Sequence, residues 1–255
     1  MSRLSDRLAP VILVAALLGV WEGACRVLGV SESIMPAPSA IAVALAQNAP
    51  QLIGSAWNTL VMALWALALA SLVGGASAVA VSLNPWLEKA SRPLATTIQV
   101  TPIVAIAPLV NIWAGLEHPE RAVAALAAAV AFFPIYSGVL GGLQAADPDL
   151  EQLFALYGAG RMQTLLRLRL PSAIPFVLQA LKVAAGLSLV GAVVAEFVSG
   201  SGGAQGLAWR IVEASHQLQT AKMFAALLVL AVMGAALHGL LQGGEQRILR
   251  RWRGR

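Results

Sequence analysis

The chain is poor in cysteine, tyrosine and charge: it has one Cys and two Tyr, and charged residues make up only 11% of its 255 positions. The lone Cys25 excludes an intrachain disulfide and any metal site built from cysteines. Near the end of an apolar run it reads as a small filler, with an interchain disulfide as the alternative. Soluble proteins carry roughly 25% charged residues, so the shortage of charge excludes an ordinary soluble domain. No Gly-x-x-x-x-Gly-Lys-Ser/Thr stretch occurs, which excludes phosphate-loop nucleotide chemistry on this chain. What is abundant is apolar: 58% hydrophobic residues and a mean hydropathy of +0.77. That composition describes an integral membrane protein, all-α and polytopic, with one transmembrane domain over 1–255 and no room for a soluble one.

Crossing about 30 Å of hydrocarbon takes roughly 20 helical residues. Six stretches qualify, at about 8–28, 59–83, 94–116, 122–143, 176–198 and 223–241. The first follows Arg3 and Arg7 like a signal peptide, but its apolar run continues through Trp21 without an Ala-x-Ala-like site, which favours an uncleaved helix. Pro102 and Pro108 interrupt the third, and such breaks are tolerated only where backbone is satisfied by neighbours or lines a cavity.

Lys and Arg accumulate on the cytoplasmic side of membrane proteins. With both termini inside, only Arg26, Arg121, Arg210 and Lys222 fall at the outer side, and Lys182 lies within the fifth span. The net charge of +5 is then topological and calls for no nucleic-acid partner, while Arg247, Arg250, Arg251, Arg253 and Arg255 suit anionic lipid.

Between the fourth and fifth spans lies a polar island, Gln144 to Ser172, predicted to face the cytoplasm. Asp147-Pro148 reads as an N-cap followed by a first-turn proline, and Asp149 and Glu151 suit the positive end of a helix dipole. Leu150, Leu153, Phe154 and Tyr157 then share one helical face. Gly158 stops this helix, and a second helical stretch, from Arg161 to Arg169, is expected to end before Ser172. The product is a compact knob. An amphipathic loop lying on the bilayer would account for the apolar face alone.

The whole arrangement asks for more: a glycine, nine residues, then Leu168-x-Leu170-Pro171, leading at once into a membrane helix. In this the chain resembles the permease subunits of bacterial ATP-binding-cassette importers, whose cytoplasmic loop carries Glu-Ala-Ala, three residues, Gly, nine residues, Ile-x-Leu-Pro. Within that family it is most similar to the branch importing nitrate, taurine, aliphatic sulfonates and thiamine-pyrimidine precursors. Pro36-Ala37-Pro38-Ser39, Thr101-Pro102 to Ala107-Pro108-Leu109 with Trp113 and Gly115, and Phe132-Phe133-Pro134 carry the likeness. Asp147-Pro148-Asp149-Leu150, Ala195-Glu196 and Gly206-Leu207 continue it along essentially the full chain.

The resemblance implies the six-helix fold of a type I importer permease, with 144–175 as a coupling loop. Asp149, Leu150, Glu151, Leu153, Phe154, Tyr157, Gly158, Ala159 and Arg161 would dock on an ATPase. It also implies a second permease copy, two ATPase subunits that hold ATP and Mg, and an external substrate-binding protein, with no cofactor, metal or catalytic residue on this chain. One departure is clear: Gln152-Leu153-Phe154 stands where the family has Glu-Ala-Ala, although Glu151 is adjacent. Docking is therefore expected to rest on packing more than on ion pairing.

Polar groups inside spans are costly in lipid and mark interiors or water. Gln99, Thr101, Pro102 and Asn111 on the broken third span are the cavity-lining candidates, with helix–helix hydrogen bonding as the plainer reading. Lys182 either snorkels to the cytoplasmic interface or attracts an anionic solute; Glu196 suits a gate or an interhelical contact; His238 suits an interfacial hydrogen bond. Ser199 to Gly206 reads as a flexible turn before an amphipathic stretch ending near Gln219, either an outer lid or a plain loop, and a short interfacial helix is expected from Ser39 to between Asn48 and Pro50.

Two rival classes fit less well. An intramembrane serine protease needs Ser and His within reach of each other, and Ser201 with His238 is a faint echo that ignores the knob. A secondary transporter needs midplane carboxylates and internal repeats, whereas Glu22 and Glu196 lie away from the midplane. The cell (inner) membrane is the expected location, with a Gram-negative or Gram-positive source left open, and the sequence does not name the solute.

Overall fold

A computed structural model describes residues 2–115, 118–199 and 205–252. Leu116, where the third span was expected to end, the turn residues 200–204 including Ser201, and Arg253 and Arg255 lie outside the described residues. The elements are α1 (Ser2–Val27), α2 (Pro38–Gln47), α3 (Ala49–Ser82), α4 (Pro85–Val100), α5 (Ile103–Ala114), α6 (Pro119–Gln144), α7 (Pro148–Leu156) and α8 (Arg161–Thr164). A π-helical turn, Leu165–Arg169, leads into α9 (Leu170–Ser199), and α10 (Leu207–His216) and α11 (Thr220–Trp252) complete the chain. Among the described residues there is no strand, as an all-α reading requires.

Four helices, α3, α6, α9 and α11, are long and apolar enough to cross a membrane, and α4 with α5 gives a fifth if that bent pair is one span. The six expected spans are thus met by four or five on that measure. The difference is clearest at the third span, which is two helices bent by 93°. Pro102 supplies no amide hydrogen and disfavours helical backbone at the residue before it; Thr101 accordingly sits extended, at φ −68° and ψ 124°. Pro108, by contrast, lies inside α5. The pair also begins well before residue 94, because Asn84 accepts a hydrogen bond from the Trp86 amide at 2.9 Å and caps α4, with Pro85 in its first turn.

Two further boundaries differ from expectation. α2 does end at Gln47, but α3 starts at Ala49, with Pro50 in its first turn, where a proline is tolerated. The helical stretch from Arg161 does not stop before Ser172; it passes through the π-helical turn into α9.

The chain divides into two compact units. The first takes in the chain up to Trp57 and Gln205–Val232. Here Trp21 packs on Phe224 with ring centroids 5.9 Å apart. Glu22 accepts hydrogen bonds from the Ser39 amide at 3.0 Å, the Ser39 hydroxyl at 2.8 Å and Arg26 Nε at 2.7 Å, which fixes α2 against α1. α10 buries Leu207, Ala208, Ile211 and Ala214, and Arg210 donates to Ser55 Oγ at 3.0 Å and to Glu213 at 2.8 Å. Cys25 is buried and free.

The second unit begins at Asn58 and is built on the α6–α9 pair, which packs along much of its length. Small residues permit the approach. A Cβ on Gly142 would lie 2.8 Å from Phe176 Cβ and one on Gly191 would lie 2.8 Å from Ala127 Cα, while one on Gly138 would overlap Ala180. Gly138 and Gly142 form the small-xxx-small spacing that lets membrane helices touch backbone to backbone.

Candidate functional site

The polar island folds as its caps dictate. Asp147 Oδ1 accepts from the Asp149 amide at 2.9 Å and starts α7, with Asp149 and Glu151 in the first turn. At the other end Gly158 takes φ +71°, the left-handed conformation that glycine adopts most cheaply. The Gly158 amide donates to Ala155 O at 3.0 Å and the Ala159 amide to Phe154 O at 2.9 Å, the paired bonds of a Schellman stop. Leu165 and Leu168 of the π-helical turn are buried, and Arg169 Nε donates to Glu151 Oε1 at 2.7 Å, so α7 is braced on the chain that enters α9. A cavity of about 260 Å³ lies between this knob and the α3–α4 junction, lined by Ser82, Pro85, Ala155, Ala159, Arg161 and Thr164 among others. Gln144 donates to Glu88 at 2.7 Å and ties the end of α6 to α4 beside it.

No residue of α7 is buried. Leu150 and Leu153 are 43% and 45% exposed, Tyr157 is 82% exposed, and Phe154 is half-buried. Leu156, at 84%, extends the same apolar surface and was not singled out from the sequence, although it stands three residues after Leu153. The expected docking residues thus lie on one segment. Glu151 is engaged by Arg169, and Ala159 and Arg161 line the cavity behind the knob.

The expected pathway residues are not brought together. Gln99, Thr101 and Pro102 are exposed at the α4–α5 break, where Thr101 Oγ1 returns a hydrogen bond to Thr97 O at 2.7 Å, and Asn111 is half-buried on α5. Lys182 is paired: its Nζ lies 2.7 Å from Glu245 Oε2 on α11, and the two side chains are 19% and 14% exposed. Glu196 is 4% exposed and accepts from Thr59 Oγ1 on α3 at 2.9 Å, an interhelical contact. His238 is exposed on α11. Among the described residues, no group of three or more His, Cys, Asp or Glu is placed to hold a metal.

The knob is thus braced, has an unburied apolar face and is set between two long apolar helices, α6 and α9. The profile of the family "binding-protein-dependent transport system inner membrane component" matches residues 66–250. The chain belongs to that family. It is similar to the formylaminopyrimidine transport permease ThiX of Halalkalibacterium halodurans, with 28% identity covering 99% of each chain. The putative aliphatic sulfonates transport permease SsuC of Bacillus subtilis is 25% identical over 95% of this chain and 87% of its own. Among solved structures, an amino acid ABC transporter chain superposes with a TM-score of 0.65 at 18% identity, over 80% of this chain and 97% of that one; this likeness shows the fold.

The protein is accordingly the multi-pass inner-membrane permease of a binding-protein-dependent ABC importer. It works with an ATPase and a substrate-binding protein, and it is a transport component, not an enzyme.

Proposed function

We propose that α7 and its brace are the coupling element on which the ATPase docks, and that the permease pairs with a second copy of itself to form the translocation pathway. The observation carrying this reading is the exposed apolar surface of Leu150, Leu153, Leu156 and Tyr157 on a segment held by Glu151 and Arg169. An exposed tyrosine on a rigid support is the kind of side chain protein interfaces use as an anchor, with apolar neighbours around it excluding water. The docking end faces the cytoplasm together with both termini, as the Lys and Arg distribution favours. Two ATPase subunits hold ATP and Mg beneath the permease pair. Their closure on ATP moves the two knobs, and the helices rock between inward-open and outward-open states. Only the differential affinity of ATP for those states shifts the equilibrium.

The solute belongs to the range served by such permeases: a sulfonate, taurine, nitrate or a thiamine-pyrimidine precursor. Gln99, Thr101, Pro102 and Asn111 on the broken span are the pathway group; Lys182 and Glu196 act as interhelical ties.

Affinity purification from gently solubilised membranes tests the docking claim. A Walker-motif ATPase in stoichiometric amount is expected with the native chain and absent with Leu153→Asp/Phe154→Asp. Unchanged co-purification and uptake in that variant would defeat it, and a native chain reproducibly free of any ATPase would turn the knob into a surface loop.

A further inference from the structure

α11 is longer than a membrane needs. Crossing takes roughly 20 helical residues, and the 33 residues of Thr220–Trp252 include an uncharged apolar run that ends at Leu241. The helix continues past that point to Trp252. Its last two turns, residues 245–252, therefore form an arm at the membrane surface. Arg247 stands about 9 Å beyond Leu241 at the helical rise, within the roughly 8–10 Å over which a charge is felt at physiological salt.

The arm has three rows, because residues four apart share a helix face. Glu245 and Leu249 form a half-buried row, in which Glu245 Oε2 accepts from Lys182 Nζ of α9 at 2.7 Å. Ile248 and Trp252 form the next, 46% and 47% exposed. Arg247 and Arg251 form the third, with Arg250 beside them, all three exposed. The ordinary sidedness of charge accounts for the arginines but not for an isoleucine and a tryptophan held out next to them. An apolar row flanked by a basic one is the pattern of a helix lying at a bilayer surface, its apolar side in the headgroup boundary and its basic side on anionic lipid.

The join between span and arm is Gly243-Gly244. Close approach requires glycine at Gly138 and Gly142, whereas a Cβ at Gly243 or Gly244 would meet nothing within 4 Å. Packing does not account for the pair. Glycine weakens a helix interior, so this is where the arm leans while the span stays upright.

Charge selects the occupant. Glu245 is neutralised by Lys182, no acidic residue follows it, and five arginines occupy positions 247–255. Clusters of about four to eight Lys and Arg directly cytoplasmic of a membrane helix suit anionic lipid. The arm also leaves the span with no loop to carry it away from the headgroups, which favours lipid over the ATPase.

We propose that residues 245–252 are a membrane-surface arm that binds anionic phospholipid, with Arg247, Arg250 and Arg251 on the headgroup phosphates and Ile248 and Trp252 in the headgroup boundary. This goes beyond the importer reading. Through the Glu245–Lys182 pair, whatever fixes the arm also fixes α9.

The test uses the intact permease–ATPase complex in nanodiscs of phosphatidylcholine in which, at equal bromine content, either part of the phosphatidylcholine or added phosphatidylglycerol is brominated. Bromine quenches tryptophan fluorescence at close range, and the Trp252 signal is the difference between the native complex and Trp252→Phe. The expected result is stronger quenching of Trp252 by the glycerol lipid than by the choline lipid. Arg247→Gln/Arg250→Gln/Arg251→Gln should lower that preference about a hundredfold. Arg247→Lys/Arg250→Lys/Arg251→Lys should keep most of it, because a headgroup surface is matched by charge more than by the guanidinium fork. Equal quenching by the two lipids, unmoved by the glutamine variant, would overturn the anionic headgroup as partner. Trp252 quenched by neither lipid would overturn the arm, and loss of the ATPase from the glutamine variant on purification would assign the basic row to the ATPase instead. The importer reading fails separately, if no ATPase accompanies the native permease.

Discussion

The α6–α9 pair and α7 spend their apolar residues in opposite ways. α6 turns Ala122, Ala127, Ala131, Gly138 and Gly142 inward, and its neighbour α9 is close enough that an added methyl at Gly138 would collide with Ala180. α7 has larger apolar side chains and buries none of them. The same division runs through α3, where Ala63, Ala66 and Ala78 are fully buried while Trp65 is 67% and Leu72 is 72% exposed. In water the large side chains would be inside. Along α3 smallness marks contact with the chain itself and size marks the exposed face, whereas α6 buries Leu126, Ile135 and Leu143 alongside its alanines. Lipid tails give helices no hydrophobic reason to associate, so close packing of small residues supplies the contact.

Four substitutions probe that contrast. Leu153→Asp with Phe154→Asp attacks the surface α7 offers. If each is an anchor worth about 2 kcal/mol, ATPase affinity falls about a thousandfold and solute uptake is lost, while the helical content of the purified permease is retained. Gly142→Leu attacks the self-contact. Overpacking against Phe176 and Ala173 should cost about 1–3 kcal/mol, read as a lower unfolding temperature in detergent.

Lys182→Met leaves Glu245 unpaired. Full burial would make that worth about 3–5 kcal/mol; with the partners 19% and 14% exposed the cost should be less, and Lys182→Met with Glu245→Leu should recover most of it. Leu72→Ala, on the lipid side of α3, should change stability by no more than about 0.5 kcal/mol. A Leu72 effect as large as that of Gly142→Leu would break the division between the small inner and large outer residues of α3.

Local chemistry was legible in the sequence and distant pairing was not. The α7 start at Asp147-Pro148 and its stop at Gly158 follow from a cap and a left-handed glycine, each decided within a few residues. The Lys182–Glu245 and Thr59–Glu196 contacts join positions 63 and 137 residues apart, and nothing local to either partner announces the other. The helix bounds were harder for a different reason. Pro102 broke a helix because the residue before it became extended, whereas Pro171 follows directly on the π-helical turn and did not, Leu170 before it keeping helical backbone at φ −64° and ψ −46°. The run from Arg161 therefore kept going through a π-helical turn where a stop was expected.

That continuity makes a machine part of the segment. Arg161–Val198 is one helical run of 38 residues, on the order of 57 Å at the α-helical rise. The Glu151–Arg169 bond closes a triangle at its base, joining α7 to the rod at a second point beyond the Gly158 turn. A loop attached at one end absorbs a push as slack. A strut pinned at two points delivers it as a tilt of the whole rod, so, with the ATPase docked on α7 as proposed, the stiffness of this joint sets how much of its stroke reaches the far side of the membrane.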